Sequence, residues 1–280
     1  MKVRESFQNT QRAARKMTRK MLNRGSRFAL GFQALLARIF LPLLFPVYHI
    51  LLRFVLGYKI PGYRKIRRRI RHALGRSRQP LIICPNHLTM IDSIILIWSM
   101  TSWWRAFFDP RFFPWNTPEK TNFAHNGVVR FFAYMGKCIE IVRKAPKEQT
   151  NKLMAKLKTR LVRGQSLMIF PEGKRSREGR VDTENYAYGV GKIIDDLKQL
   201  GTTPRVLCIY LRGLKQRGHS TIPKRGDTFH LSYKLLEPQS EYQGLRAHRD
   251  LSTQIVSTLA EMEQDFFQQY PEILSDLPGQ

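Results

Sequence analysis

The rhythm of apolar and polar positions changes near residue 80. Upstream, residues 28–57 (FALGFQALLARIFLPLLFPVYHILLRFVLG) form the most hydrophobic part of the chain, punctuated by Arg38 and Arg53 and by Pro42 and Pro46. A proline inside a helix removes one ladder hydrogen bond and clashes with the preceding turn. The segment therefore reads as a helix, a proline-containing bend and a second helix, a hairpin dipping into one leaflet of a membrane. A single span and a hairpin buried in a soluble core stay open at this point. Downstream, short apolar runs alternate with helical periods. LIIC (81–84), IEIV (139–142), LMIF (167–170) and VLCIYL (206–211) have the look of buried strands. NKLMAKLKTRLVRG places Leu153, Met154, Leu157, Leu161 and Val162 on one helical face, with Gly164 as a stop. Residues 186–201 repeat that pattern with Val190, Ile193, Ile194, Leu197 and Gly201, 228–236 alternate as an edge strand does, and 248–270 read as a closing helix.

Strand and helix in series predict a three-layer α/β domain with a mixed, mostly parallel sheet. The division expected is a basic N-terminal arm (1–27), a membrane-associated helical hairpin with a basic linker (28–78), and an α/β domain (79–280).

Charge sharpens this reading. The 280 residues carry 48 Lys and Arg against 21 Asp and Glu, a formal net charge of +27. Such an excess selects polyanions: nucleic acid, an anionic membrane, or phosphorylated and acidic substrates. Residues 1–27 hold nine Lys or Arg and a single acid, Glu5, and 63–78 read YRKIRRRIRHALGRSR. Both flanks of the apolar segment are thus basic, which places both on the cytoplasmic side of a membrane (the inner membrane in a bacterium). Cations beside a membrane segment attract anionic head groups by about 1 kcal/mol each. No signal peptide is visible in the long basic N-terminus. Three cysteines, Cys84, Cys138 and Cys208, lie far apart without a CxxC pair, so the expectation is buried thiols in a reducing compartment, with no disulfide and no metal site.

Candidate chemistry collects at the strand ends, where α/β sheets gather functional groups. LIIC runs into Pro85, Asn86 and His87, with Asp92 five positions on. That spacing is not one face of a regular helix, so a turn has to bring the carboxylate back. Asp92 would then take the proton on one imidazole nitrogen and leave the other as a base. The pair is the base-and-orienter half of a hydrolase triad, and a substrate hydroxyl could supply the nucleophile. IEIV runs into Arg143, and LMIF into PEGKRSREGR (171–180), where Lys174, Arg175 and Arg177 can bind phosphate and Gly173 lets the backbone approach a ligand.

Together these segments resemble the glycerophospholipid acyltransferases, typified by 1-acylglycerol-3-phosphate O-acyltransferase. NHLTMID (86–92) is similar to the family's NHxSxxD box, with Thr89 at the serine position, and FPEGKRS (170–176) to its FPEGTRS box, with Lys174 for threonine. FFAYMGKCIEIVR resembles the middle motif through Gly136 and Arg143, whereas RVLCIYLRG lacks the proline of the fourth. The resemblance implies an acyltransferase-type α/β fold and a membrane-associated enzyme that uses no metal and no bound cofactor. It gives His87 the role of general base, with Asp92 orienting it and Asn86 and Thr89 supporting the box. Arg143, Lys174, Arg175 and Arg177 would hold the acceptor's phosphate, with Glu172, Gly173 and Ser176 shaping the turn. The acyl donor would be acyl-CoA or acyl carrier protein, and the acceptor a lysophospholipid such as 1-acylglycerol-3-phosphate or another lipid. A non-catalytic basic protein binding membrane or nucleic acid is the competing class. It accounts for the charge but not for the two boxes at strand ends.

Overall fold

In the computed structural model, the structure describes residues 2–75, 77, 79–122, 126–142, 145–218 and 220–277. A five-stranded sheet lies at its centre, in the order β2-β3-β1-β4-β5. The strands are β1 (Leu81–Pro85), β2 (Trp115–Asn116), β3 (Ser166–Met168), β4 (Arg205–Gly213) and β5 (Phe229–Leu236). The first four run parallel, and β5 closes the edge antiparallel to β4. β1 sits in the middle with all five residues buried, as a run without polar alternation requires. Cys84 lies in register with Cys208 on β4, both as free buried thiols, while Cys138 is only partly buried.

Among the described residues ten α-helices clothe the sheet: α1 (Lys2–Lys20), α2 (Arg24–Ile50), α3 (Tyr63–Leu74), α4 (Asp92–Met100), α5 (Trp103–Phe108), α6 (Gly127–Met135), α7 (Lys147–Leu161), α8 (Gly189–Gln199), α9 (Gly244–Gln269) and α10 (Pro271–Ser275). Alternate strand residues feed two cores. Ile82, Cys84, Leu167, Val206 and Cys208 pack with α7, α8 and α9. Leu81, Ile83, Met168, Leu207 and Ile209 pack with α2, α3 and α4. This is the three-layer α/β architecture expected from the alternation of runs.

Two expectations are corrected. Residues 139–142 form no strand of the sheet; Cys138 and Ile141 make isolated parallel bridges to Asn116 and Glu119. The strand beside β3, at the edge opposite β5, is instead the two-residue β2 in the proline-flanked segment 114–118. The proline bend is also absent. Arg24–Ile50 form one helix through Pro42 and Pro46, continued by a π-helical turn at Leu51–Val55. Prolines four apart lie on one face, and the helix is held by packing on its other side through Leu30, Gln33, Ala37, Leu41, Leu44 and Phe45. Tertiary contacts on α4, α5 and α6 thus override the two lost backbone bonds.

The basic N-terminal segment forms α1 and packs on the α/β domain. Ala14 is fully buried, and the Arg15 Nε donates to the Val162 carbonyl beyond α7 at 2.9 Å. Residues 24–55 are long and apolar enough to cross a membrane, and only 28% of the most apolar window is buried. Phe28, Phe32, Leu35, Ile39, Leu43, Val47, Ile50 and Phe54 stand exposed at three- and four-residue spacing, an apolar stripe along the outer side of α2.

Candidate active site

β1 ends on a proline, which has no N–H to continue the ladder to β4. The Asn86 side chain takes over: its Nδ2 donates to the Leu211 carbonyl at 3.1 Å and its Oδ1 accepts from the Leu211 amide at 2.8 Å. A side-chain amide thus imitates a peptide unit and carries the sheet one step further, which fixes the chain just before His87. Residues 88–90 then run beside the segment after β4, with the Met90 amide donating to Thr221 and the Ser220 amide to Leu88.

Asp92 opens α4, and its carboxylate folds back over the turn. Oδ2 accepts from the Leu88 amide at 2.7 Å and the Thr89 amide at 2.8 Å, and lies 3.1 Å from His87 Nδ1. Oδ1 accepts the Thr89 hydroxyl. The carboxylate is buried, so each oxygen needs such partners. With Nδ1 committed to Asp92, the His87 side chain, 20% exposed, presents its other nitrogen to the cleft. The Phe170 ring stacks on the imidazole at 4.0 Å between centroids and sets the ring plane.

The second box meets the first through Glu172. Its Oε1 accepts from the His87 amide at 2.9 Å, and its Oε2 faces the Asp182 amide at 3.4 Å. The Ser176 amide returns a bond to the His87 carbonyl at 2.9 Å. Glu172 is buried, and desolvation pushes its carboxyl up to about 8 against the lowering effect of the two amides. Gly173 turns the chain with φ +68°, where a Cβ would stand 3.2 Å from that of Ala187. Ser176 is buried, lines the cleft, and accepts from the Arg180 amide at 3.0 Å, which helps to shape the loop.

The cationic residues are not equivalent. Lys174 reaches the cleft but pairs with Asp182 at 2.9 Å. Arg175 lines the cleft and makes one long contact, Nη1 to the Ser220 carbonyl at 3.4 Å. Arg177 is exposed at the rim. Arg143 lies outside the described residues. Among the described residues no group of three or more His, Cys, Asp or Glu is placed to hold a metal ion.

Sequence reasoning missed what holds this loop. Glu263 on α9 is buried and spans the Val181 amide with both oxygens at 3.1 Å. It also accepts from the Tyr210 hydroxyl at 3.3 Å, and burial raises its pKa. The buried Arg212 donates to the Gly179 and Gln216 carbonyls. A carboxylate 82 positions from its amide partner leaves no trace in local spacing.

All of this frames one cleft of about 1640 Å³. His87 and the cations line part of it. Leu41, Leu44 and Phe45 of α2, Ile94 and Ile97 of α4, and Leu153 and Leu157 of α7 line an apolar part. The polar part also holds Arg180 and the acids Glu178, Asp182 and Glu184. A base-and-carboxylate pair between this charged rim, with Arg175 and Arg177 on it, and an apolar recess suits an amphiphile that has a polar head and a hydroxyl to be deprotonated.

Comparison with known proteins agrees with this geometry. The chain is 29% identical over 140 residues to a protein named Taffazin from Dictyostelium discoideum; the match covers 50% of this chain and 47% of that protein. The chain thus spans about half the length of the curated relative it matches. The family model described as Acyltransferase matches residues 62–235, which run from α3 to the end of β5 and hold both boxes. With more than half of its length so matched, the chain belongs to the Acyltransferase family, as the resemblance of its boxes to the glycerophospholipid acyltransferases implies.

Proposed function

We propose that this protein is a membrane-associated lipid O-acyltransferase that moves a fatty acyl group from a thioester donor, acyl-CoA or acyl carrier protein, to the hydroxyl of a lysophospholipid-type acceptor. The observation that carries the reading is the His87–Asp92 contact, 3.1 Å long, on a cleft that carries Arg175 and Arg177 at a charged side and is apolar at the other. Asp92 holds the proton on His87 Nδ1, so Nε2 takes the proton of the acceptor hydroxyl as its oxygen attacks the thioester carbonyl. Collapse of the tetrahedral adduct forms the ester and breaks the C–S bond. The thiolate leaves with the proton that Nε2 had taken. Every atom is accounted for by the two substrates, and the imidazole ends neutral.

The acceptor's phosphate is assigned to Arg175 and Arg177, with Lys174 adding to the field and Arg143 carried as a sequence-based member of the set. The apolar recess takes an acyl chain. The exposed stripe of α2 and the exposed cations of α1 and α3 are assigned to an anionic membrane on its cytoplasmic side, with α2 lying in the interface rather than bent at its prolines. No nucleic acid is expected as a partner.

The test is acyl transfer by detergent-solubilised protein, with radiolabelled acyl-CoA and acyl carrier protein offered beside a panel of lysophospholipids. Product from the wild type and none from His87→Ala is the expected result. Equal product from both proteins would remove His87 from catalysis. Membrane binding without product from any pair would favour the purely binding class.

A further inference from the structure

The exposed apolar surface does not stop at α2. On α6, Val128, Val129, Phe131 and Phe132 are exposed, and on α5 Trp104 and Phe108 are exposed and stacked on each other. These helices flank α2 on opposite sides. Phe40 of α2 meets Phe131 edge-on at 6.3 Å, whereas Arg38 lies over Phe107 of α5 at 5.0 Å. Residues two apart on a helix point about 200° apart, so α6 and α5 border the exposed stripe left and right. Gln33 fixes α6 to α2, donating to the Tyr134 and Cys138 carbonyls at 3.0 Å each.

Two further observations give this face an occupant. The first is charge: α2, α5 and α6 contain Arg24, Arg27, Arg38, Arg53 at the continuation of α2, Arg105 and Arg130, and no Asp or Glu. An apolar face on helices whose charged residues are all cations complements an anionic lipid surface, and it repels a second copy of a chain already at +27. The second is position. Val129 and Phe132 are exposed and at the same time line the cleft that holds His87. So do Met90 and Val142. The rim of the cleft is therefore apolar where α6 forms it, and that rim is continuous with the stripe of α2.

We infer that α6 is a lipid-facing portal: its outer residues Val128 and Phe131 sit in an anionic bilayer, and acyl chains pass between its inner residues and α2 into the cleft without crossing water. This rests on the membrane-associated reading above but goes beyond it, since α2 alone would suffice for attachment.

Phe131→Cys in the full chain, labelled with a polarity-sensitive dye, tests the contact. Vesicles of phosphatidylcholine and phosphatidylglycerol are added, and sedimentation and emission are read on one sample; labelled wild type corrects for the native thiols. Co-sedimentation with a blue shift, quenched by acyl-brominated lipid, is expected. Co-sedimentation with water-like emission overturns the portal and leaves membrane attachment standing. Failure to sediment overturns both. A blue shift without vesicles that grows with protein concentration shows a second copy on α6 and also overturns it.

The functional arm uses Val128→Ser with Phe131→Ser, neither of which lines the cleft. Transfer to an acceptor embedded in vesicles should fall about tenfold or more, with transfer to the same acceptor in detergent micelles unchanged. An equal loss in both assays, or none in either, overturns the proposal.

Discussion

Glu172 holds His87 by its backbone rather than by its ring: the carboxyl oxygen accepts from the His87 amide at 2.9 Å, from a position 85 residues later in the chain. The two boxes are thereby one structural unit, and a defect in the second should be felt at the base in the first. Glu172→Ala leaves the amides of His87 and Asp182 without an acceptor in a buried place. A displacement of about 1 Å at a base costs on the order of 10²-fold, so kcat should fall by roughly that factor at saturating acceptor. Glu172→Gln keeps an acceptor oxygen and should retain most of the rate. An alanine variant with wild-type kcat would dissolve the link.

Asp92 and Thr89 should separate by role. Asp92→Asn keeps the size and an acceptor oxygen for the two amides and Nδ1 of His87, with its NH2 turned to the Thr89 hydroxyl, but it removes the negative charge beside the imidazole. The charge that stabilises a protonated imidazole is then lost, and kcat should drop by a factor on the order of 10²–10⁴. Thr89→Val removes only the hydroxyl bond to Oδ1 and should cost less than about tenfold. The reverse order would mean that Asp92 is chiefly a helix cap.

Of the three cations assigned to the phosphate on the loop after β3, Arg175 should matter most for affinity. Lys174 already faces Asp182, and a half-exposed pair of that kind is worth about 0–1 kcal/mol. Among the described residues Arg175 donates a long bond to the Ser220 carbonyl, so its guanidinium can turn to a phosphate. Arg175→Ala should raise KM for a phosphorylated acceptor roughly ten- to a hundredfold, with kcat nearly unchanged. Lys174→Ala should raise it less. The control is an uncharged monoacylglycerol; if its KM rises equally, Arg175 shapes the loop and does not read phosphate.

Much of the arrangement was legible because burial writes itself into composition. LIIC, LMIF and VLCIYL became β1, β3 and β4, and the His-containing turn was found because a titratable group directly after a buried strand stands out. What stayed hidden depends on distance in the chain. The edge strand at Trp115–Asn116 is two residues long and bracketed by prolines, so no alternation announces it. Pro42 and Pro46 predicted a bend because a sequence counts the lost hydrogen bonds and not the packing of α4, α5 and α6 that offsets them. Glu263 reads as one more polar position on a closing helix until α9 is seen against Val181.

Lys137 is the sharpest case of a residue with no local signal, and it yields a prediction about stability. It follows α6 in a left-handed conformation, φ +57°, and its side chain is buried. Nζ donates to the Phe113 carbonyl at 2.5 Å and lies over the rings of Phe113 and Trp115. The charges that act on it, Arg160 and Arg38, are both positive, and desolvation with their repulsion lowers its pKa to about 7. Between pH 7 and the ordinary lysine range the unfolded chain binds a proton that the folded chain does not. Stability from this group therefore rises with pH across that window, by at most about 1.4 kcal/mol per pH unit. Below pH 7 the full cost of burying the charge is present. Glu172, raised to about 8, acts with the opposite sign, since its folded form holds a proton that the unfolded chain has released above the ordinary carboxyl range. The clean readout is thus the difference between variant and wild type. Thermal unfolding of Lys137→Met from pH 6 to 10 should show the variant ahead at pH 6 and the advantage shrinking steadily above pH 7. At pH 10 the variant should fall level or slightly behind, because the Phe113 carbonyl has lost its donor. Parallel curves over the whole range would mean that Lys137 keeps its proton in the folded state.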